Sequence, residues 1–266
     1  MIQMSGIHPT VFLGSNVTIG VNVSIGPGSI VHDNVQIGSD SVIGANVILG
    51  EPLAAYYSDS ITYVNPPLLI GPNAVIRSGC VIYAGCEFGR HFATGHAVVI
   101  RERTKVGNYS RIGTHSDIQG ECEIGDYVRI HSNVITSQHV RIHDFVWILP
   151  HCVLADCPHP PSEELFPATV EAYAVIAANS VILPGVTVGT DSLVGASSVV
   201  SHDVAPGAVV IGQPAKQVAW AKDLHSKLSG DPMYPWRQHF FRGMPWESIG
   251  YSAWIHERDD ERCTDL

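Results

Sequence analysis

Residues 106–125 read VGNYSRIGTHSDIQGECEIG, and they show most clearly a six-residue repeat that runs through most of the chain. Each hexad begins with an aliphatic residue, usually followed by Gly, and its fifth position holds a small residue or Val. Three blocks have leading positions 13 to 49, 70 to 154 and 176 to 200, and only Thr94 and Thr136 among these are not apolar. Because this period does not fit an amphipathic helix, and Gly with β-branched residues favours short strands between turns, the sequence predicts a parallel β-solenoid.

The composition of the 266-residue chain predicts a globular protein with a thin core. Apolar residues make up 45%, aromatic residues 8% and charged residues 15%, which excludes a disordered chain. The net charge of −10 and the lack of a basic run argue against nucleic acid as a partner. Met1–Thr10 has no signal-like pattern, and no apolar stretch approaches the ~18 residues that span a bilayer, so we expect no membrane partner and a cytoplasmic location.

Residues 10–215 resemble the hexapeptide-repeat, left-handed β-helix superfamily. The resemblance implies an all-β fold with three hexads per triangular coil, a stacking period of 18 residues and a homotrimer. Outward residues at this spacing should then have compatible charges. The sequence meets this expectation in two columns. In the first, the charges alternate along Glu87, Lys105, Glu123 and Arg141. The second column consists of Arg103, Glu121 and His139. The blocks predict about nine coils.

Two interruptions and a tail depart from the repeat. The first interruption, residues 51–69, contains Tyr56 and Tyr57, and the second covers residues 155–175; both are expected to form loops. The repeat ends after Pro214. We therefore predict a β-helix domain at residues 1–215 and an extension at residues 216–266, in which residues 216–229 form a short helix that caps the last coil and an aromatic segment, residues 234–254, follows.

Four of the six cysteines fit the repeat as core residues. Each occupies the fifth position of its hexad, and the four are Cys80, Cys86, Cys122 and Cys152. No CxxC pair suggests a metal site. Cys157 and Cys263 lie outside that position and are expected to be free thiols in a reducing compartment.

Histidines are concentrated in the middle of the chain, where eight of the 14 fall between positions 91 and 159. The 18-residue period places His115, Asn133 and His151 in one outward column, and His131 lies two residues before Asn133. A histidine can accept a proton near neutral pH, and Asn can orient an amine. These residues are candidates for catalysis, and a solvated surface column is the alternative.

A zinc site is a weaker interpretation of the same histidines. Trimeric β-helix carbonic anhydrases hold their metal through histidines shared between subunits, so this class stays open as an alternative. His115 and His151 are two coils apart, about 10 Å, which is too far for one chain to chelate with that pair. The sequence predicts no metal.

The last block resembles the coenzyme-A-binding end of hexapeptide acyltransferases. Small outward residues at 18-residue intervals would leave a groove for a pantetheine arm, and a lysine beyond them would meet phosphates. Small residues also suit tight turns, which is the structural alternative. The candidate residues for binding acetyl-CoA are Ala177, Ala178, Gly195, Ala196, Pro214 and Lys216.

Four segments resemble, more narrowly, the sugar-nucleotide N-acyltransferases that acylate dTDP-linked 3-amino-3,6-dideoxyhexoses. These segments are residues 116–120, 123–134, 145–147 and 156–162. The resemblance implies an acetyl or short acyl group moved from coenzyme A to the amine of a nucleotide-linked sugar, at a site between subunits. The implied roles are catalysis by His131, Asn133 and His115 and substrate binding by Asp117, Gln119, His96, Tyr56 and Tyr57.

Three alternatives remain open from the sequence. The coenzyme sulfur, instead of a histidine, would accept the amine proton; the acceptor atom would be a sugar oxygen; or the chain would be a structural subunit without activity.

Overall fold

The computed structural model describes the backbone of residues 6–264 and the side chains up to residue 257. Cys263 therefore lies outside the described side chains. The chain forms a parallel β-solenoid of triangular cross-section, the left-handed β-helix architecture. Each hexad contributes one short strand, and its leading residue points into a single narrow core. The predicted fold class is confirmed. No described helix is both long and apolar enough to cross a membrane.

Three sheets form the faces of the prism, and within each sheet the strands stack in chain order. Sheet I contains β1 (Phe12–Leu13), β4 (Ile30–Val31), β7 (Ile48–Glu51), β10 (Val81–Tyr83), β13 (Val99–Ile100), β16 (Asp117–Ile118), β19 (Ile135–Thr136), β22 (Val153–Leu154), β25 (Val181–Ile182) and β28 (Val199–Val200). Sheet II contains β2 (Thr18–Ile19), β5 (Val35–Ile37), β8 (Leu68–Ile70), β11 (Glu87–Phe88), β14 (Lys105–Val106), β17 (Glu123–Ile124), β20 (Arg141–Ile142), β23 (Thr169–Val170) and β26 (Thr187–Val188). Sheet III contains β3 (Ser24–Ile25), β6 (Val42–Ile43), β9 (Val75–Ile76), β12 (Ala93–Thr94), β15 (Arg111–Ile112), β18 (Arg129–Ile130), β21 (Trp147–Ile148), β24 (Val175–Ile176), β27 (Leu193–Val194), β29 (Ala208–Gly212) and β30 (Ala215–Trp220).

The 18-residue register is confirmed by the strand pairing and by the charged columns. Glu87 pairs with Lys105, and Glu123 pairs with Arg141, in direct parallel register on sheet II. The corresponding nitrogen-to-oxygen distances are both 3.7 Å. In the second column, Glu121 accepts from Arg103 at 3.2 Å and lies 3.4 Å from His139.

The corners explain why side chains such as Asn and His recur between the strands. One residue at each such corner adopts the left-handed conformation, for example His115 (φ 59°) and Asn133 (φ 58°), which Asn and His tolerate better than bulky β-branched residues. Close stacking explains Gly113, because a Cβ atom there would lie 2.4 Å from the backbone carbon of His131.

The coil count differs from the predicted nine, since the sheets have ten, nine and eleven strands. β23 lies within the interval assigned to the second interruption. Two further strands that the repeat did not predict, β29 and β30, follow a coil that is two residues shorter than the 18-residue period. In that coil Val194 pairs with Val210 instead of with a residue 18 positions away. Pro214 therefore does not stack on Ala196, and that part of the predicted small-residue column is wrong.

The extension also differs from its prediction. Residues 215–220 form β30, which pairs antiparallel with β29, where a short capping helix was expected. Within the predicted helical range 216–229, the only helical element is a 3-10 turn, Ala221–Asp223. The aromatic segment does not cover the last coil, since it folds back along sheet III and includes a 3-10 turn, Trp236–Gln238, before helix α2 (Tyr251–Thr264). A shorter helix, α1 (Ala54–Ser58), lies in the first interruption.

The aromatic segment packs on a ladder of stacked rings at the corner between sheets II and III. Neighbouring ring centroids in the ladder are 4.5 to 5.2 Å apart. Trp236 donates from its ring nitrogen to the carbonyl of Tyr173 at 2.8 Å, and Trp246 is fully buried. The ladder thus fixes the aromatic segment against the side of the prism. The rings of the ladder belong to His91, Tyr109, Tyr127, Phe145 and Tyr173.

The four core cysteines are buried as predicted, and we expect them to be unreactive in the folded protein. Burial raises the pKa of Cys86 to about 12 and that of Cys122 to about 11, which keeps the nucleophilic thiolate scarce.

Titration with a disulfide reagent at neutral pH should detect no more than two of the six thiols before denaturation and all six afterwards. A third fast-reacting thiol in the native protein would contradict this placement.

Candidate active site

A groove with a volume of about 710 Å³ lies on the outer face of sheet III. Its floor is made of small residues, Ala93, Gly95 and Gly113. The aromatic extension supplies one wall through Phe240 and Gly243. The folded-back extension therefore gives this face of the prism a wall that the repeats alone do not supply.

His131 lies in this groove and is exposed to solvent. It follows β18, so it points outward on the strand side of the corner, and its ring centroid is 6.0 Å from that of Trp147. Partial burial lowers the pKa of His131 below its ordinary value, although the side chain stays accessible. The imidazole is therefore neutral at neutral pH, the form that accepts a proton. His96 lines the same groove, and its ring nitrogen lies 2.8 Å from the Ser78 hydroxyl.

His115, Asn133 and His151 form the predicted column on the corner between sheets III and I. The backbone N–H of His115 donates to His96, that of Asn133 to Thr114 and that of His151 to Ser132, so each corner is tied to the coil before it. His115 and His151 are exposed, and Asn133 is half-buried. None of the three lines the groove, whose lining ends at Thr114 and Ser132, one residue before His115 and Asn133.

Asp117 and Gln119 lie beyond that corner, on the outer face of sheet I. The Oδ1 atom of Asp117 is buried and has no hydrogen-bond partner among the described residues. Burial raises the pKa of Asp117, while an interaction with Gln119 and the charge of Arg101 act in the opposite direction. A single chain thus places Asp117 and His131 on two different faces, so they do not share one pocket.

Tyr56 and Tyr57 are far from the histidines. They belong to α1, in the loop after β7, and the Tyr57 hydroxyl donates to Glu51 at 2.7 Å. Three strand spacings, about 14 Å, separate β7 from the strand that carries Asp117. Neither tyrosine lines the groove.

The small residues proposed to bind coenzyme A occupy the upper part of sheet III. Ala177 and Gly195 continue the outward column of His131, two and three strands further along. Ala178 and Ala196 are on the adjoining corner. The small-residue strip ends at Ile211, whose side chain lies against Gly195. Lys216 is exposed on β30 opposite Ile211, and Pro214 is in the hairpin turn, so neither extends the strip.

The arginines of the groove were not predicted from the sequence. Arg77, Arg111, Arg129 and Arg242 line it, and no carboxylate does. Arg111 and Arg129 are 18 residues apart, so the stacking test that found the charged columns of sheet II would also have found this pair. Burial and the charge of Arg111 lower the pKa of Arg129 to about 10, which leaves Arg129 charged at neutral pH.

No group of three or more histidine, cysteine, aspartate or glutamate side chains in the described part of the chain is arranged to hold a metal ion.

Comparison with known proteins agrees with the repeat. The family described as bacterial transferase hexapeptide (six repeats) matches residues 16–51, and the hexapeptide repeat of succinyl-transferase matches residues 167–202. Galactoside O-acetyltransferase of Escherichia coli is 32% identical over 105 residues, which are 36% of this chain and 52% of that protein. 2,3,4,5-Tetrahydropyridine-2,6-dicarboxylate N-acetyltransferase of Staphylococcus aureus is 44% identical over 72 residues, or 27% and 29% of the two chains. The chain thus spans about half the length of the first relative and under a third of the second.

Two solved structures are more distant. A variant of perosamine N-acetyltransferase from Caulobacter crescentus, in complex with CoA and GDP-perosamine, has a TM-score of 0.39 at 23% identity over 55% of this chain and 56% of that one. Arabidopsis UDP-N-acetylglucosamine acyltransferase has a TM-score of 0.47 at 19% identity, over 80% and 74%. No functional conclusion follows from either likeness.

The chain is built of hexapeptide repeats that form a left-handed β-helix, and two of its segments match hexapeptide-repeat families. In sequence it resembles acetyltransferases over part of its length.

Proposed function

We propose that the protein is an acyltransferase that moves an acetyl or similar short acyl group from coenzyme A to the amine of a nucleotide-linked amino sugar. One observation carries the proposal: His131 and His96 both line a groove of about 710 Å³ on the outer face of a hexapeptide-repeat fold. The names of the two sequence relatives, both acetyltransferases, support acetyl transfer.

His131 acts as the base in this mechanism. The sugar amine attacks the thioester carbonyl, a C–N bond forms, and the imidazole takes the proton that the amine loses. The C–S bond then breaks, and the coenzyme leaves as a thiolate that takes up a proton. Asn133, on the adjoining corner, orients the amine or a neighbouring hydroxyl, and a backbone amide stabilises the oxyanion.

The donor is placed along the outward column that His131 shares with Ala177 and Gly195. Small side chains there leave the backbone approachable, so a thin pantetheine arm can lie on the strip with its thioester toward His131. Leu149 is the residue between His131 and Ala177 in this column. The pantetheine arm must therefore pass over or beside that side chain.

A homotrimer with its sites between subunits would bring the two halves of the site together. The outer column of sheet I around Asp117 is mainly apolar, with Val99 below it and Ile135 above it. A neighbouring copy that covers this face would place Asp117 beside the neighbour's groove and supply a donor for its unpartnered Oδ1 atom. Measurement of the mass in solution by light scattering tests the trimer.

We expect Asp117→Asn to lower kcat/KM for the acceptor about 10- to 100-fold, since the loss of one charged hydrogen bond costs about 1.5–3 kcal/mol. Steady-state kinetics with a varied amino sugar measures the effect. Glu87→Gln, an exposed carboxylate on sheet II, is the matched control. Unchanged kcat/KM in the Asp117 variant would remove this residue from the site.

The function itself is tested by incubating the protein with acetyl-CoA and a panel of nucleotide-linked amino sugars, with products detected by mass spectrometry. Each amino sugar is paired with the sugar that carries a hydroxyl at the same carbon. N-acylated product supports the proposal. O-acylated product alone would favour the second candidate, a sugar O-acetyltransferase, for which the galactoside relative is the supporting observation. No product from any pair contradicts both.

A further inference from the structure

The groove on sheet III contains two stacked arginines of like charge. Arg111 and Arg129 are directly paired in the parallel register of β15 and β18, which places their backbones about 4.8 Å apart. Like charges in directly opposite positions destabilise a sheet. A negative charge near the two guanidinium groups would offset this repulsion.

Sheet II has the opposite arrangement of charges. At the equivalent strand position, acidic and basic residues alternate and form ion pairs, as Glu123 does with Arg141. In the groove of sheet III, neither Arg77, Arg111 nor Arg129 forms an ion pair with any described carboxylate. Four of the 15 basic residues of an otherwise acidic chain thus line one groove.

Two of these arginines are already held in place. Arg129 donates to the carbonyls of Tyr109 and Gly243, and Arg77 donates to the carbonyl of Thr94. The Arg111 guanidinium makes no hydrogen bond with any described residue, since only the backbone N–H of Arg111 donates, to the carbonyl of Val128, so its five side-chain N–H donors are available to a ligand. Between Arg77 and the stacked pair lies the small-residue floor, Ala93, Gly95 and Gly113, which leaves space for a group to enter.

We propose that this groove binds the pyrophosphate group of a nucleotide ligand, with the Arg111 guanidinium as its main contact and Arg77 and Arg129 on either side. Guanidinium groups bind phosphate oxygens through paired, charge-assisted hydrogen bonds. Two substrates of the reaction carry a pyrophosphate, coenzyme A and a nucleoside-diphosphate sugar, and their identity as substrates rests on the proposed function. The anion site itself lies beside His131, within reach of the same bound molecule.

The test is equilibrium binding by calorimetry to the intact protein, without any acyl donor. Three probes are used: inorganic pyrophosphate, coenzyme A and dTDP. Arg111→Gln should weaken at least one of the two nucleotides about 10- to 100-fold, and pyrophosphate in parallel. Arg111→Lys, which keeps the charge but loses the planar fork, should give a smaller loss. Arg141→Gln, at the equivalent position of sheet II, is the matched control and should change none of the affinities.

The two ligand sources are distinguished by the arms of the experiment. A loss confined to dTDP assigns the site to the acceptor, a loss confined to coenzyme A assigns it to the donor, and a loss in both with mutual competition means a shared site. A structural role would lower the melting temperature of Arg111→Gln, whereas relief of like-charge repulsion should leave it unchanged or raise it.

Three results would overturn the inference: no binding of any probe by the native protein, equal affinities in the native protein and Arg111→Gln, or a changed oligomeric state of Arg111→Gln with unaltered affinities. The last would mean that Arg111 pairs with a carboxylate of another copy. Because no turnover is measured, Arg111-dependent binding by a protein that fails to acylate any sugar would retain the anion site and reject only the proposed reaction.

Discussion

Replacement of His131 by Gln is expected to lower kcat for acyl transfer about 100- to 10,000-fold with a small change in KM, the range typical of losing a general base. The physical reason is that the groove keeps this imidazole neutral, whereas an amide cannot accept the proton. Steady-state and single-turnover kinetics measure the effect. His202→Gln, at an exposed histidine that does not line the groove, serves as the control.

The same experiment decides between bases. A large loss in His115→Gln with a near-normal His131→Gln would move the base to the corner column. Near-normal rates in both variants would exclude a histidine base and favour the coenzyme sulfur as proton acceptor.

The pH dependence has a definite sign. Burial lowers the pKa of folded His131 below its ordinary value near 6.5, so the unfolded chain binds more protons in the interval between the two values. The stability contribution is fully present above about pH 6.5 and is lost as the pH falls through the folded pKa. The acidic limb of the kcat/KM profile should therefore also lie below 6.5. The other ionisable groups that line the groove are His96, Arg77, Arg111, Arg129 and Arg242.

Replacement of Trp246 by Ala is expected to detach the aromatic extension from sheet III, at a cost of about 3–5 kcal/mol. Trp246 is fully buried, its ring centroid is 5.2 Å from that of Phe145, and its ring nitrogen donates to the carbonyl of Phe240 at 3.0 Å. The β-helix should remain folded, because its core is a separate cluster. Limited proteolysis should cut within residues 224–250 in the variant and leave residues 6–220 intact.

Loss of the extension should also open the groove. Arg129 would lose its contact with the Gly243 carbonyl, and Phe240 would leave the wall beside Trp147. Trp220→Ala is the control, since that side chain is 45% exposed and is not part of the aromatic cluster. Identical proteolysis of the two variants would show that Trp246 does not hold the tail in place.

The sequence was sufficient for the repeat because each hexad carries its own signal. An aliphatic leading residue, a following Gly and a small fifth residue all follow from the space inside one narrow column. The buried cysteines were placed correctly for the same reason. The prediction failed where the residue spacing changed. The insertion before β23 interrupts the period, so β23 was not recognised as a strand. The short coil before β29 shifts the register, so Pro214 does not stack on Ala196.

The sequence predicted only part of the candidate site. Residue spacing shows which side chains stack in one column, but it does not show on which side of a corner a groove forms. His131 and Asn133 were chosen by spacing and resemblance, and of these two His131 lines the groove. Asp117 was grouped with them although it lies around the corner. The groove itself depends on Phe240 and Gly243, more than 100 residues from His131, and no periodic pattern connects the tail to that face.

The coils touch only their immediate neighbours, so unfolding should begin at the ends of the stack and progress inward. The first coils expose Phe12 and Val21 to solvent, whereas β30 protects one sheet at the opposite end. Hydrogen exchange should therefore be fastest at the N-terminal coils. The histidine column, in the middle of the array, is insulated by several coils from this fraying. Sequence changes at the first coils can accumulate without disturbing the geometry around His131.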